Sequence, residues 1–202
     1  MIAVLDYGIG NLRSAQKALE RVGADARLTA DPADVATADG VVLPGVGAFG
    51  RCMQALRAAG LEGPARDAIE RSVPFLGICV GMQMLYEGSD EDPETPGMGV
   101  LGGWVRRLPD GVKRPQMQWN RLDRRADSPL LAGLGDPAWV YFVHSFAPEP
   151  TPEVVATCDY GGPVVAAVQR RTLWATQFHP EKSSAAGLRL LANFMAAAGG
   201  PG

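Results

Sequence analysis

The run Pro74-Phe75-Leu76-Gly77-Ile78-Cys79-Val80-Gly81 constrains the fold of this chain more than any other segment. Residues 74–79 are continuously apolar, as strands buried on both faces are, and such strands belong to parallel sheets covered by helices. The run ends in G-x-C-x-G, with Gly77 and Gly81 flanking Cys79, and a helical pattern over 81–86 starts behind it. Strand and helix can meet this abruptly only through a turn so tight that the positions two before and two after its centre must be small. This is the thiol counterpart of the G-x-S-x-G nucleophile elbow. The turn exposes the Cys79 side chain at the top of the sheet, and the N-terminus of the following helix favours its thiolate. A buried core Cys at a glycine-rich strand end is the plainer alternative. The strand, glycines and helix start together favour a nucleophile.

The rest of the chain supplies a matching frame. Short apolar runs at 2–5 and 40–43, and the segment 26–29 between them, read as further strands. Between them, Leu12, Ala15, Leu19 and Val22 fall on one helical face closed by Gly23, and helical stretches run over 52–59 and 61–71. Residues 87–99 are acidic and rich in Pro and Gly, hence a loop. The stretches 104–108 and 116–122 read as a hairpin-type excursion. Residues 139–146, 154–158, 164–169 and 173–178 are β-rich, 184–198 is a closing helix, and 199–202 is a frayed tail. No repeat or linker divides the chain, so the expectation is one domain over 1–202, an α/β three-layer sandwich with some antiparallel strands. Sites in such folds lie at the carboxyl ends of the parallel strands.

Composition narrows the function classes. With 202 residues, a net charge of -3 and 20% charged residues, the chain can bury a sizeable core but offers no basic surface for nucleic acid. No apolar stretch approaches the roughly 20 residues of a membrane helix, and the N-terminus lacks the features of a signal peptide. Cys52, Cys79 and Cys158 are an odd, widely spaced set without CxxC, which fits a reducing cytoplasm and implies neither disulfides nor a metal. Cys52 and Cys158 lack the elbow context and read as structural.

A nucleophilic Cys needs a base, and the chain has two histidines. His179 lies in Gln177-Phe178-His179-Pro180-Glu181-Lys182-Ser183, just past an apolar strand. Pro180 favours extended backbone at His179, and residues two apart in an extended chain share a face, so Glu181 can orient the imidazole. His144, in Tyr141-Phe142-Val143-His144-Ser145-Phe146, has no neighbouring carboxylate and reads as structural. An acyl-enzyme also needs an oxyanion hole. The glycine-rich segment Pro44-Gly45-Val46-Gly47-Ala48-Phe49-Gly50 follows a strand, and amides of Gly45, Val46 and Gly47 can join that of Val80 as donors. Gly8-Ile9-Gly10 fails the dinucleotide fingerprint, because its third glycine would fall at Arg13; a tight turn presenting Asn11 at the top of the sheet is expected instead.

These motifs resemble the class I (triad-type) glutamine amidotransferases. The resemblance rests on Pro44-Gly45-Val46-Gly47, on Gly77 to Gly81 with Met82-Gln83, and on His179-Pro180-Glu181, and it spans essentially the whole chain. The Asp6-Tyr7-Gly8 opening, Trp119-Asn120 and the run Tyr141 to Phe146 are similar to the branch that serves histidine biosynthesis. There the family usually has Gly before Trp-Asn, and this chain has Gln118. The resemblance implies a flavodoxin-like, mostly parallel mixed sheet and glutamine hydrolysis by a triad of Cys79, His179 and Glu181, without cofactor. It implies that Gly47, Gln83, the Ser145-Phe146 backbone and Glu91 hold glutamine. It further implies that Asn11, Trp119, Asn120 and Lys182 face a partner, a separate (β/α)8-barrel cyclase subunit. That subunit uses the ammonia to make imidazole glycerol phosphate and aminoimidazole carboxamide ribotide. Two other readings stay open: the same chemistry serving anthranilate, aminodeoxychorismate or pyridoxal phosphate synthesis, and a non-catalytic flavodoxin-like binding module.

Overall fold

The computed structural model describes residues 1–199. The first half alternates: β1 (Ile2–Leu5), α1 (Leu12–Arg21), β2 (Ala26–Thr29), α2 (Pro32–Thr37), β3 (Gly40–Gly45), α3 (Phe49–Ala58), α4 (Glu62–Glu70), β4 (Phe75–Cys79) and α5 (Val80–Gln83). The second half is mostly strand: β5 (Gly88–Ser89), β6 (Trp104–Arg107), β7 (Gln116–Arg121), β8 (Asp123–Arg124), β9 (Trp139–His144), β10 (Phe146–Pro148), β11 (Val154–Asp159), β12 (Pro163–Arg170) and β13 (Leu173–Thr176). The helix α6 (Ser184–Ala197) closes the fold.

The central sheet has the order β2-β1-β3-β4-β13-β12-β11-β8. It is parallel from β2 to β13 and antiparallel beyond. Every residue of β1, β3, β4 and β13 is buried, which is why these runs lack an alternating polar face. Right-handed crossovers place α1 on one face, where it meets α6, and α2 on the other, where it meets α4. The result is the expected three-layer α/β sandwich with a mixed, mostly parallel sheet.

Four details depart from the sequence reading. The helix α2 was not anticipated: it is six residues long, too short for a periodic signal, and is set by Pro32 at its first turn and by the Asp31 carboxylate accepting from the Ala33 amide at 2.8 Å. The loop 87–99 contains β5. The segments expected to form a hairpin do not pair with each other: β6 lies between β10 and β5, whereas β7 pairs antiparallel with β9. The expected helix behind Cys79 is a single turn, Val80–Gln83. Of the expected frayed tail, residues 200–202 lie outside the described residues.

Candidate active site

The elbow forms where β4 meets α5. Cys79 takes φ 57° and ψ −113°, a sparsely populated conformation for a residue with a side chain. Such strain costs on the order of 1–3 kcal/mol and persists only where the surroundings over-determine it. Here the determinants are close backbone contacts. The register places Gly45 beside Cys79, and a Cβ on Gly81 would lie 1.9 Å from the Leu43 carbonyl oxygen. One on Gly45 would lie 2.6 Å from the Gly81 amide nitrogen. The two glycines let β3 and the elbow touch.

Cys79 and His179 open into one cavity of about 440 Å³. Its wall also includes Asn11, Val46, Gly47, Val80, Gln83, Glu91, Ser145, Phe146 and Lys182. Gly45 does not line it; its place is against the elbow. Trp119 and Asn120 lie away from it, on the β7–β9 ribbon.

His179 sits in a buried position with both backbone groups engaged. Its amide donates to the Tyr141 carbonyl at 3.0 Å, and its carbonyl accepts from the Ser183 hydroxyl at 2.6 Å. Its Nδ1 lies 2.7 Å from Glu181 Oε1, which fixes the tautomer. Nε2 is buried without a hydrogen-bond partner, free for an incoming group. Burial alone lowers the pKa of His179, but Cys79 and Glu181 outweigh it and raise it to about 10. Both partners thus favour the imidazolium over the neutral ring.

His144 has the opposite environment. Burial is the main cause that pushes its pKa down to about 4; the Phe146 carbonyl works against the shift, and the charge of His179 adds to it. Nδ1 lies 2.8 Å from the Phe146 carbonyl and Nε2 lies 2.8 Å from Gln116 Oε1, whose NH2 faces Cys158. The Phe146 carbonyl only accepts, so Nδ1 carries the proton; a neutral ring then accepts at Nε2 only once the Gln116 amide is turned to present its NH2 instead. His144 is thus a neutral strut that holds the Ser145–Phe146 segment.

That strut changes what the segment offers a ligand. The Phe146 carbonyl already serves His144 and Gln83 Nε2, the latter at 2.9 Å, and the Ser145 carbonyl accepts from the Leu108 amide at 2.9 Å. The Phe146 carbonyl thus has two donors already, whereas the Ser145 carbonyl keeps one acceptor site. Glu91 is likewise partly engaged: its Oε2 accepts from the Phe49 amide at 2.8 Å at the start of α3. The loop bearing Glu91 is anchored by its neighbour Asp90, which meets Arg106 and Trp104 Nε1 at 3.0 Å each.

The glycine-rich loop is fastened on both sides of one peptide. The Tyr7 hydroxyl donates to the Pro44 carbonyl at 2.5 Å, and the Cys52 thiol donates to the Val46 carbonyl at 3.3 Å. Gly47 follows at φ +92°, a value that favours glycine. Cys52 thus has a definite task, and burial pushes its thiol up to about 11. Cys158 is also buried, beside Gln116.

The ribbon carries the largest exposed apolar side chains among the described residues. Met117 is 61% exposed, Trp119 45% and Trp139 51%, and all three lie on the same face of the β7–β9 pair. Trp119 stacks edge-on against Tyr141 with centroids 6.0 Å apart. Asn120 is not a free group: its side-chain amide donates to the Asp159 carbonyl at 2.9 Å and accepts from the Arg121 amide at 2.8 Å. It ties the ribbon to β11. Sequence reasoning missed Gln177, a fully buried amide whose Nε2 lies 3.7 Å from the Cys79 sulfur. Its one local signal was that it shares an extended face with His179.

The chain belongs to the class-I glutamine amidotransferases, whose family model matches residues 3–198. Within that class it is 51% identical over 197 residues to the imidazole glycerol phosphate synthase subunit HisH of Deinococcus radiodurans, covering 96% of this chain and 92% of that one. It is 50% identical to the subunit of the same name from Salinibacter ruber, covering 97% and 94%. Among solved structures it resembles one described as a glutamine amidotransferase, with a TM-score of 0.75 and 25% identity over 98% of both chains. The structure of PurLQS from Thermotoga maritima shares the fold, with a TM-score of 0.74 at 19% identity, over 96% of this chain and 97% of that one.

Proposed function

We propose that the whole chain acts as one amidotransferase domain, the glutaminase subunit of an imidazole glycerol phosphate synthase. It hydrolyses glutamine and hands the ammonia to a separate cyclase subunit, a (β/α)8 barrel bound as a heterodimer in the cytoplasm. The observation that carries the reading is the strained Cys79 sharing a cavity with the His179–Glu181 pair, in a chain half identical to HisH subunits over almost its full length. Among the described residues no helix is long and apolar enough to cross a membrane.

The geometry supports the following sequence. The Cys79 thiolate, with protonated His179 as its counter-charge, attacks the carboxamide carbon of glutamine. The carbonyl electron pair moves onto oxygen, where the Val80 amide and an amide of the Val46–Gly47 loop donate. His179 Nε2 gives its proton to the amide nitrogen, the C–N bond breaks and ammonia leaves a thioester on Cys79. Water then attacks, His179 takes its proton, and collapse releases glutamate and the thiolate. Gln83 has both N–H groups in use, so its carbonyl oxygen is what it offers, an acceptor suited to the α-ammonium of glutamine.

The partner face is the apolar side of the β7–β9 ribbon together with Asn11 and Lys182 at the cavity. The ribbon reaches the chemistry through Tyr141, whose carbonyl holds the His179 amide and whose own amide donates to Ser183 at 3.0 Å. The test is glutamate release by the chain alone, with a cyclase subunit, and with cyclase plus a cyclase ligand. Losing one oxyanion donor costs about 100- to 1000-fold in rate. A partner that holds the glycine-rich loop in its donating orientation is therefore expected to raise kcat by that order and to change KM far less. Full activity of the isolated chain, indifferent to cyclase, sinks the coupled-subunit reading.

A further inference from the structure

Gln177 lies one residue beyond β13, where the register that sets Thr176 beside Ile78 carries it alongside Cys79. It is fully buried. Its orientation is set by a chain of hydrogen bonds that starts at a group with one role only. The Phe146 carbonyl can only accept, so Gln83 turns its NH2 toward it at 2.9 Å. The same NH2 reaches Gln177 Oε1 at 3.0 Å. Gln177 must then turn its own NH2 the other way, and there it meets the Cys79 sulfur at 3.7 Å.

The sulfur has few other friends. As a thiol it can donate to the Val143 carbonyl at 3.9 Å, an acceptor that does nothing for a thiolate. The helix behind it is four residues long, so few peptide dipoles align on the sulfur. The ionisable groups around it are His179, Glu181 behind His179, Tyr7 and Cys52, with His144, Glu91 and Lys182 on the cavity wall. Burial raises both the Tyr7 hydroxyl and the Cys52 thiol, so neither adds a charge at neutral pH.

The geometry points to Gln177 as the group that holds the Cys79 thiolate: a buried, uncharged donor, oriented by Gln83 and Phe146, that supports the sulfur's negative charge without competing for the proton on His179. The inference rests on the reading of Cys79 as nucleophile. Being neutral, the amide stabilises the thiolate at any pH and leaves the ion pair with His179 intact.

The test is the alkylation rate of Cys79 by iodoacetamide between about pH 5 and 9, read at the Cys79 peptide by mass spectrometry, in wild type, Gln177→Met and Gln177→Glu. Removing a hydrogen bond to a charged group costs about tenfold or more, and a sulfur acceptor at this distance belongs at the low end. Gln177→Met is therefore expected to move the inflection of the alkylation profile upward and to slow alkylation about tenfold on its acid side. Gln177→Glu, nearly the same shape but able to place a carboxylate beside the sulfur, is expected to be slower still. Glutamine kcat should fall in the same order while KM changes less. An alkylation profile for folded Gln177→Met that coincides with wild type overturns the inference. If Gln177→Met does not fold, unchanged or faster alkylation in Gln177→Glu overturns it. Failure of the nucleophile reading looks different: Cys79→Ala would retain glutaminase activity, whatever Gln177 does to the alkylation rate.

Discussion

The two histidines of this chain share one cavity and are held in opposite protonation states, which can be read directly. His179 is raised to about 10 and His144 lowered to about 4, a separation of about six pH units between two imidazoles lining the same pocket. At pH 7 the two shifts work in opposite directions, so His179 favours the protonated form and His144 the neutral one. The assay is long-range 1H–15N correlation of histidine-labelled protein between about pH 5 and 9, where an ordinary imidazole would pass through its midpoint near 6.5. The expected spectrum holds one imidazolium and one neutral ring, neither passing its midpoint across the range. The neutral ring should be the Nδ1–H tautomer, because Nδ1 faces the Phe146 carbonyl. The perturbation is Cys79→Ala combined with Glu181→Gln. It removes the groups that raise His179 and leaves burial, which lowers it, so its midpoint should drop below 6.5. A wild-type histidine with a midpoint between about 6 and 7, or a double variant in which His179 stays protonated at pH 8, refutes the reasoning.

Three further outcomes follow from the same geometry. Folded His144 prefers to be neutral while the unfolded imidazole binds a proton below about 6.5, so stability should fall as pH drops from there toward about 4, by up to ~1.4 kcal/mol per pH unit; urea melts that stay level between pH 6.5 and 5 contradict this. Gly81→Ala places a methyl 1.9 Å from the Leu43 carbonyl, which backbone cannot yield as a side-chain tip can; a loss of about 3 kcal/mol in urea unfolding, with loss of Cys79 alkylation, is expected, and a variant as stable and reactive as wild type contradicts it. Trp119→Ala should weaken binding to the cyclase subunit by about 2 kcal/mol or more in calorimetry while leaving the isolated chain's melting point nearly unchanged, because Trp119 is half exposed on the apolar ribbon face. Equal affinity of variant and wild type would remove the ribbon from the interface.

What the sequence determined by itself is what local physics determines. The run from Pro74 to Gly81 fixes a buried strand and a tight turn, because each follows from neighbours within a few residues; the Cys79 side chain expected to be exposed there is instead buried, at 3% exposure, on the cavity wall. The pairing of His179 with Glu181 is equally local, since extended backbone puts alternate side chains on one face; the structure has them 2.7 Å apart. Tertiary structure decided whatever depended on partners distant in the chain. Gln177 reaches Cys79 across 98 residues only through the β13–β4 register. The Phe146 carbonyl is withdrawn from any ligand because Gln83 and His144 both claim it, and β6 and β7 choose β10 and β9 over each other. Those choices depend on which surfaces remain to be buried once the central sheet has formed. No window of the sequence contains that information, because hydrogen-bond capacity and apolar area are shared among all the segments that fold onto one core.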